Sequence, residues 1–221
     1  MDRWASFDCY GTLIDWMGGI LDTLTGLWPE YDAELLLSAY HEIEPEVQLG
    51  RATPYRDVLA ETLERIAHRE GLDLGAHDRD ALAQSLPSWP PFAEVAGSLR
   101  RLRDRGWRLA VLSNTDPDLL DASIDAIGVP VDMRVTAAEA GSYKPAHGHW
   151  ERFFEQTMAD RAWYVHVAAS LFHDVAPCAE LGLRAVWINR LGERSHLPRA
   201  AELPDLSGLP DALEAVVPAG V

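Results

Sequence analysis

Ser6-Phe7-Asp8-Cys9-Tyr10-Gly11-Thr12-Leu13-Ile14 decides how the rest of the chain is read, because it carries a short apolar run into one carboxylate and then a turn. Trp4 to Phe7 have the composition of a short buried strand, Gly11-Thr12 supplies a tight turn, and Asp8 stands between the two. Open α/β sheets bind their ligands beyond the carboxyl ends of their strands, so an acid there is a candidate site residue. Taken alone, D-x-x-G-T is read equally well as an aspartate capping a turn. What else the chain delivers to strand ends settles the matter.

From Ala93 onward helix and strand alternate. Val95 to Arg105 is predicted helical, Arg108 to Leu112 a strand, Asp118 to Ile127 a helix and Val131 to Val135 a strand. His149 to Thr157, Trp163 to Val167, Val175 to Leu181 and Arg184 to Ile188 continue as helix, strand, helix and strand, and Pro204 to Val221 as a loop with a weak helix. Strands separated by helices of this length make a parallel sheet with right-handed crossovers. Residues 15–89 lack that rhythm. Leu21, Leu24 and Leu27 follow helical spacing, Glu34 to Val47 continue it less regularly, and Val58, Leu59, Thr62, Leu63 and Ile66 form one stripe. Gly71 stops that helix, Ala81 to Leu86 make a short one, and Pro87, Pro90 and Pro91 close the segment. The expected organisation is an α/β core of residues 1–14 and 90–221 with a helical cap of residues 15–89 inserted into it.

The chain of 221 residues, 48% hydrophobic, is long enough to bury such a core. A net charge of −16 without a local basic run disfavours nucleic acid and anionic membranes and favours a small-molecule substrate. Cys9 and Cys178 are too few for a disulfide framework and lie outside metal-ligand spacing, so a reducing cytoplasm is expected. No signal-peptide pattern and no bilayer-length apolar window is found, so neither export nor membrane insertion is expected. Dimers being the commonest soluble assembly, a homodimer is a candidate state.

One residue is singled out by usage: against eighteen arginines the chain has one lysine, Lys144, in Gly-Ser-Tyr-Lys-Pro. A compact ammonium reaches into a tight pocket where a planar guanidinium does not fit. Collected along the sheet's carboxyl edge are Asp8, then Ser113 and Asn114 after Leu112, Lys144 after Val135, and Asp174 after Val167. Singly, Ser113 or Asn114 is a helix N-cap; together these residues define a site.

The segments Phe7-Asp8-Cys9-Tyr10-Gly11-Thr12-Leu13, Leu112-Ser113-Asn114, Tyr143-Lys144-Pro145 and the stretch around Asp174 resemble the motifs of the haloacid dehalogenase superfamily, nearest to its type II 2-haloacid dehalogenases. The resemblance implies a doubly wound, Rossmann-like parallel sheet with a helical cap. It also implies a nucleophilic Asp8 that displaces halide from C2 of a 2-haloacid, forming an ester that water cleaves. A carboxylate needs no base to act as a nucleophile at neutral pH, and Lys144 would orient it. Thr12, Ser113 and Asn114 are then donors to Asp8, to the substrate carboxylate or to the departing anion, and Asp174 holds Lys144 and helps to position water.

Superfamily phosphatases carry a second aspartate two residues after the nucleophile, as general acid and magnesium ligand, where this chain has Tyr10. His166-Val167-Ala168-Ala169 likewise replaces their Gly-Asp, which leaves too few carboxylates for octahedral Mg²⁺, so neither metal nor cofactor is expected. Departures from the dehalogenase pattern are equally specific. His41 is read at the place of the family's halide-binding arginine, Ala169 and Leu171 replace a Ser and an Asn, and Trp150 replaces a tyrosine. His173 is a candidate replacement polar group beside Asp174. Trp16 and Tyr55 are candidates for an apolar pocket wall, with plain cap-to-core packing as the competing reading. A phosphatase or phosphonatase, and a metabolite-binding protein without turnover, stand as the alternatives.

Overall fold

The computed structural model describes residues 2–48 and 53–218. The first strand, β1 (Arg3–Phe7), is followed by four helices, α1 (Trp16–Leu27), α2 (Ala33–Gln48), α3 (Tyr55–Glu70) and α4 (Ala81–Ser85). The α/β alternation then runs α5 (Val95–Asp104), β2 (Trp107–Ser113), α6 (Pro117–Ile127), β3 (Met133–Thr136), α7 (Ala137–Ala140), α8 (Gly148–Thr157) and β4 (Tyr164–Ala168). It finishes with α9 (Ala176–Glu180), β5 (Ala185–Ile188), β6 (Ala201–Leu203) and α10 (Leu209–Val216). Among the described residues, no strand lies between β1 and β2.

All strand pairs are parallel, in the order β3-β2-β1-β4-β5-β6. β1 is therefore central. The chain winds outward from it first through β2 and β3 and then, on its other side, through β4, β5 and β6. The end of β1 next to β4 is the point where the winding reverses, where such sheets open a crevice. Asp8 follows β1 there, its N–H bonded to Val167 O at 3.1 Å.

Side chains alternate between two buried faces, as the period of two requires. Ala5, Phe7, Leu109, Val111, Val165, Val167, Val186 and Ile188 join one apolar core, shared with α5, α6, α10 and the helices between β1 and β2. Trp4, Ala110, Leu112, Tyr164, Ala185 and Trp187 join a second core, with Trp150 and Phe153 of α8 and Cys178 of α9. Ser6 and His166 belong to that second face and are register partners. Burial on both faces explains why the strands read as continuous apolar runs.

Four features depart from expectation. β6 is a three-residue edge strand, too short and too mixed in exposure to show a pattern. β3 starts at Met133, because Val131 precedes the sheet. α7 is a single turn closed by a capping box between Thr136 and Glu139, a T-x-x-E signature that the sequence does contain. Asp174 lies within a π-helical turn, Leu171–Val175, an uncommon winding that recurs at functional sites.

Candidate active site

Lys144 organises the site. Its ammonium is fully buried and donates to Asp8 Oδ1 at 2.9 Å, to Leu112 O at 2.9 Å and to Asp174 Oδ1 at 2.7 Å, so all three protons are spent. Burial alone would lower its pKa, but the charges of Asp174 and Asp8 outweigh that and raise it above the ordinary lysine value. The same logic runs in reverse for Asp174: desolvation would raise its carboxyl, and Lys144 with His166 pulls it well below the usual range. The main chain of Lys144 is clamped by Asn114, whose Oδ1 accepts from Lys144 N at 2.6 Å and whose Nδ2 donates to Lys144 O at 2.9 Å.

Asp8 is gripped at both oxygens. Oδ2 accepts from Thr12 Oγ1 at 2.8 Å, and that hydroxyl in turn accepts from Ala169 N at 2.9 Å. The intervening turn needs Gly11, which has φ +88°, and a Cβ there would stand 2.6 Å from Trp16 Nε1. Behind Asp174, His166 Nε2 lies 2.9 Å from its Oδ1, and His166 Nδ1 lies 2.6 Å from Ser6 Oγ, itself 2.5 Å from Tyr164 OH. The second sheet face thus supplies a buried polar chain that holds Asp174 from beneath.

A cavity of about 120 Å³ opens over Asp8. Nine of the residues expected from sequence line it: Asp8, Tyr10, Trp16, Tyr55, Ser113, Asn114, Lys144, His173 and Asp174. Ser113 Oγ and Asp174 Oδ2 are buried without a protein hydrogen-bond partner. Tyr10 OH is 3.0 Å from Ser123 Oγ, and burial pushes its pKa above the ordinary tyrosine value. His173 has its pKa lowered by burial, which keeps the imidazole neutral, and its Nδ1 is 3.2 Å from Ser170 Oγ.

Two assignments are corrected. His41 is exposed and does not line the cavity; its ring rests against Trp16 at 5.3 Å. The stripe of α2 that reaches the cavity is Tyr40, Glu44 and Gln48, spaced by four, and His41 sits about 100° around the helix from it. Trp150 is buried in the second core with its ring edge-on to His166 at 5.3 Å, so it packs behind the site instead of lining it. Asn114 clamps the Lys144 main chain with both ends of its amide and keeps a second Nδ2 proton at the cavity it lines. Sequence reasoning missed Glu44, Gln48, Tyr40, Trp89 and Ser170 on the wall, and His166 with Ser6 beneath it. The signal for the last pair was present: a Ser and a His inside otherwise apolar buried strands.

Phosphatase chemistry in this fold draws on magnesium. The described residues contain no group of three or more His, Cys, Asp and Glu able to hold a metal ion, and Asp8 and Asp174 both face the Lys144 ammonium, so the donor set does not fit Mg²⁺.

The sequence pattern of the haloacid dehalogenase-like hydrolases matches residues 3–182. The (S)-2-haloacid dehalogenase of Pseudomonas sp. strain YL is 28% identical over 192 residues, covering 85% of this chain and 82% of that protein. Haloacetate dehalogenase H-2 of Moraxella sp. strain B is 27% identical over 193 residues, 85% of each. A solved L-2-haloacid dehalogenase of Xanthobacter autotrophicus, with chloropropionic acid covalently bound, superposes with a TM-score of 0.85 at 21% identity, covering 97% of this chain and 99% of that one. The chain belongs to the haloacid dehalogenase-like hydrolases.

Proposed function

We propose that the protein hydrolyses small 2-haloacids without a metal, through an ester on Asp8. The observation that carries this reading is a carboxylate fixed at both oxygens by Lys144 and Thr12 on the floor of the cavity, in a chain whose relatives are named 2-haloacid and haloacetate dehalogenases. An empty apolar cavity of about 150 Å³ takes a benzene. At about 120 Å³ this one suits roughly six non-hydrogen atoms, the size of chloropropionate.

In this mechanism an Asp8 oxygen attacks C2, and the halide leaves with the bonding pair. Lys144 keeps the attacking group oriented, and the free hydroxyl of Ser113 donates to the substrate carboxylate. Water held at Asp174 Oδ2 then attacks Cγ of Asp8, with neutral His173 as the base in the same cavity. The product hydroxyl comes from Asp8, and the carboxylate is restored with an oxygen from water. Tyr10, its proton held by a buried phenol, does not serve as the acid a phosphomonoester needs. Core residues 1–14 and 90–221 carry the nucleophile in this reading, and the helices of 15–89 act as a cap closing over it. A cytoplasmic setting accords with two buried free cysteines.

A single turnover of 2-chloropropionate in H₂¹⁸O tests the mechanism. The heavy oxygen is expected in the Asp8 peptide and absent from the lactate, and Asp8→Asn is expected to abolish chloride release. Heavy oxygen in the product alone would overturn the covalent route.

A further inference from the structure

We propose that the α2–α3 wall of the cavity is an ammonium subsite, so that the preferred substrate is a 2-haloacid bearing a protonated amine on its side chain. This rests on the dehalogenase reading and specifies its substrate class. Glu44 and Gln48 line this wall with the rings of Tyr40 and Tyr55, the Tyr55 hydroxyl bonding the Glu44 carboxyl, and Trp16 of α1 packs on Tyr40 at 5.9 Å. An acid beside aromatic side chains in one cavity is chemistry that recognises an organic cation, through charge and through ring faces.

The charges in the cavity leave that place to the ligand. Lys144 is the one cationic side chain among the lining residues described, and its three protons are committed to Asp8, Leu112 and Asp174. Glu44 has only a long contact from Gln48 Nε2, at 3.4 Å, and the Tyr55 hydroxyl, neither of which neutralises it. His41, one residue round the helix from Tyr40, stays outside. A simple haloacid would bring a further negative charge into a space walled by Asp8, Asp174, the ionisable Glu44 and one spent ammonium. A zwitterionic one places its carboxylate at Ser113 and its ammonium at Glu44. Burial also holds the Glu44 pKa up at about 7, so the side chain stands ready to ionise when a cation arrives.

The test compares chloride release from 3-amino-2-chloropropionate with that from 2-chlorobutyrate, which has a methyl group in place of the ammonium. The wild type is expected to show at least tenfold higher kcat/KM on the amino compound, and Glu44→Gln to bring the ratio near one. Equal values in the wild type, or a preference that survives the substitution, would overturn the subsite. Binding is read separately, as the shift in melting temperature given by 3-aminopropionate against butyrate at equal concentration. A shift with 3-aminopropionate alone, lost in Glu44→Gln, supports the subsite even if neither chloroacid is hydrolysed, in which case the dehalogenase reading fails and the subsite stands. No shift, or equal shifts, counts against the subsite whatever the turnover.

Discussion

Replacing Glu44 with Gln is expected to stabilise the protein at alkaline pH and to change it little in acid. Burial raises the Glu44 carboxyl from the usual 4.5 to about 7, so between those values the folded chain holds a proton there that the unfolded chain has lost. Stability falls with rising pH wherever the folded state binds more protons, by about 1.4 kcal/mol per pH unit for one proton. Across the interval the wild type therefore forfeits at most about 3 kcal/mol, and solvent reaching the half-open cavity screens this to roughly 2 kcal/mol. A glutamine has no charge to desolvate, so the difference between variant and wild type should open from pH 4.5, level off above pH 7 and carry no other pH dependence. Urea unfolding followed at half-unit steps from pH 4.5 to 8.5 measures it. Other titrating groups cancel in the difference, and any altered hydrogen bond appears as a constant offset. A difference independent of pH, or one that grows towards acid, would show that Glu44 is not a buried, unneutralised acid.

Two further outcomes follow from the geometry. Activity on 2-chloropropionate should survive exhaustive EDTA treatment, because the carboxylates that would hold magnesium face the Lys144 ammonium; a tenfold loss restored by Mg²⁺ would refute the donor-set reading. Gly11→Ala should cost about 2–4 kcal/mol, combining a left-handed backbone with a Cβ driven to 2.6 Å from Trp16 Nε1, and an unchanged melting temperature would refute it.

The core was legible because the central strands carry apolar runs, and the residues that follow strands at their carboxyl edge, Asp8, Ser113, Lys144 and Asp174, do converge. Parallel pairing makes this readable from the strand order, since every strand opens its following loop at the same edge. The wall formed by α2 was not legible. On a helix one residue is 100° of rotation, and a motif offset by one puts His41 where Tyr40 and Glu44 belong. Pro45 within α2 and a stripe mixing Leu36, Tyr40, Glu44 and Gln48 also blur the amphipathic pattern that would have oriented it. His166 escaped for a different reason: its polar character in an apolar strand was visible, but its role follows only once its register partner, Ser6, and the π-turn bringing Asp174 over it are known.

Lys144 shows why the wall and the base of the cavity belong to one argument. An ammonium that still had a free proton would draw the substrate carboxylate to itself and leave the rest of the cavity to be apolar. Here the same ammonium is saturated by Asp8, Leu112 O and Asp174, and Asp174 is in turn fastened by His166 through Ser6 to Tyr164. Buried charges persist only when paired and hydrogen-bonded, and this arrangement pairs Asp8 with its cation before any ligand enters. The substrate carboxylate is then left to neutral donors such as the unpartnered Ser113 hydroxyl, which orient it but supply no compensating charge. In the ammonium-subsite proposal, discrimination among haloacids consequently passes to the wall over Asp8, where Glu44 is the ionisable side chain that α2 contributes to the cavity.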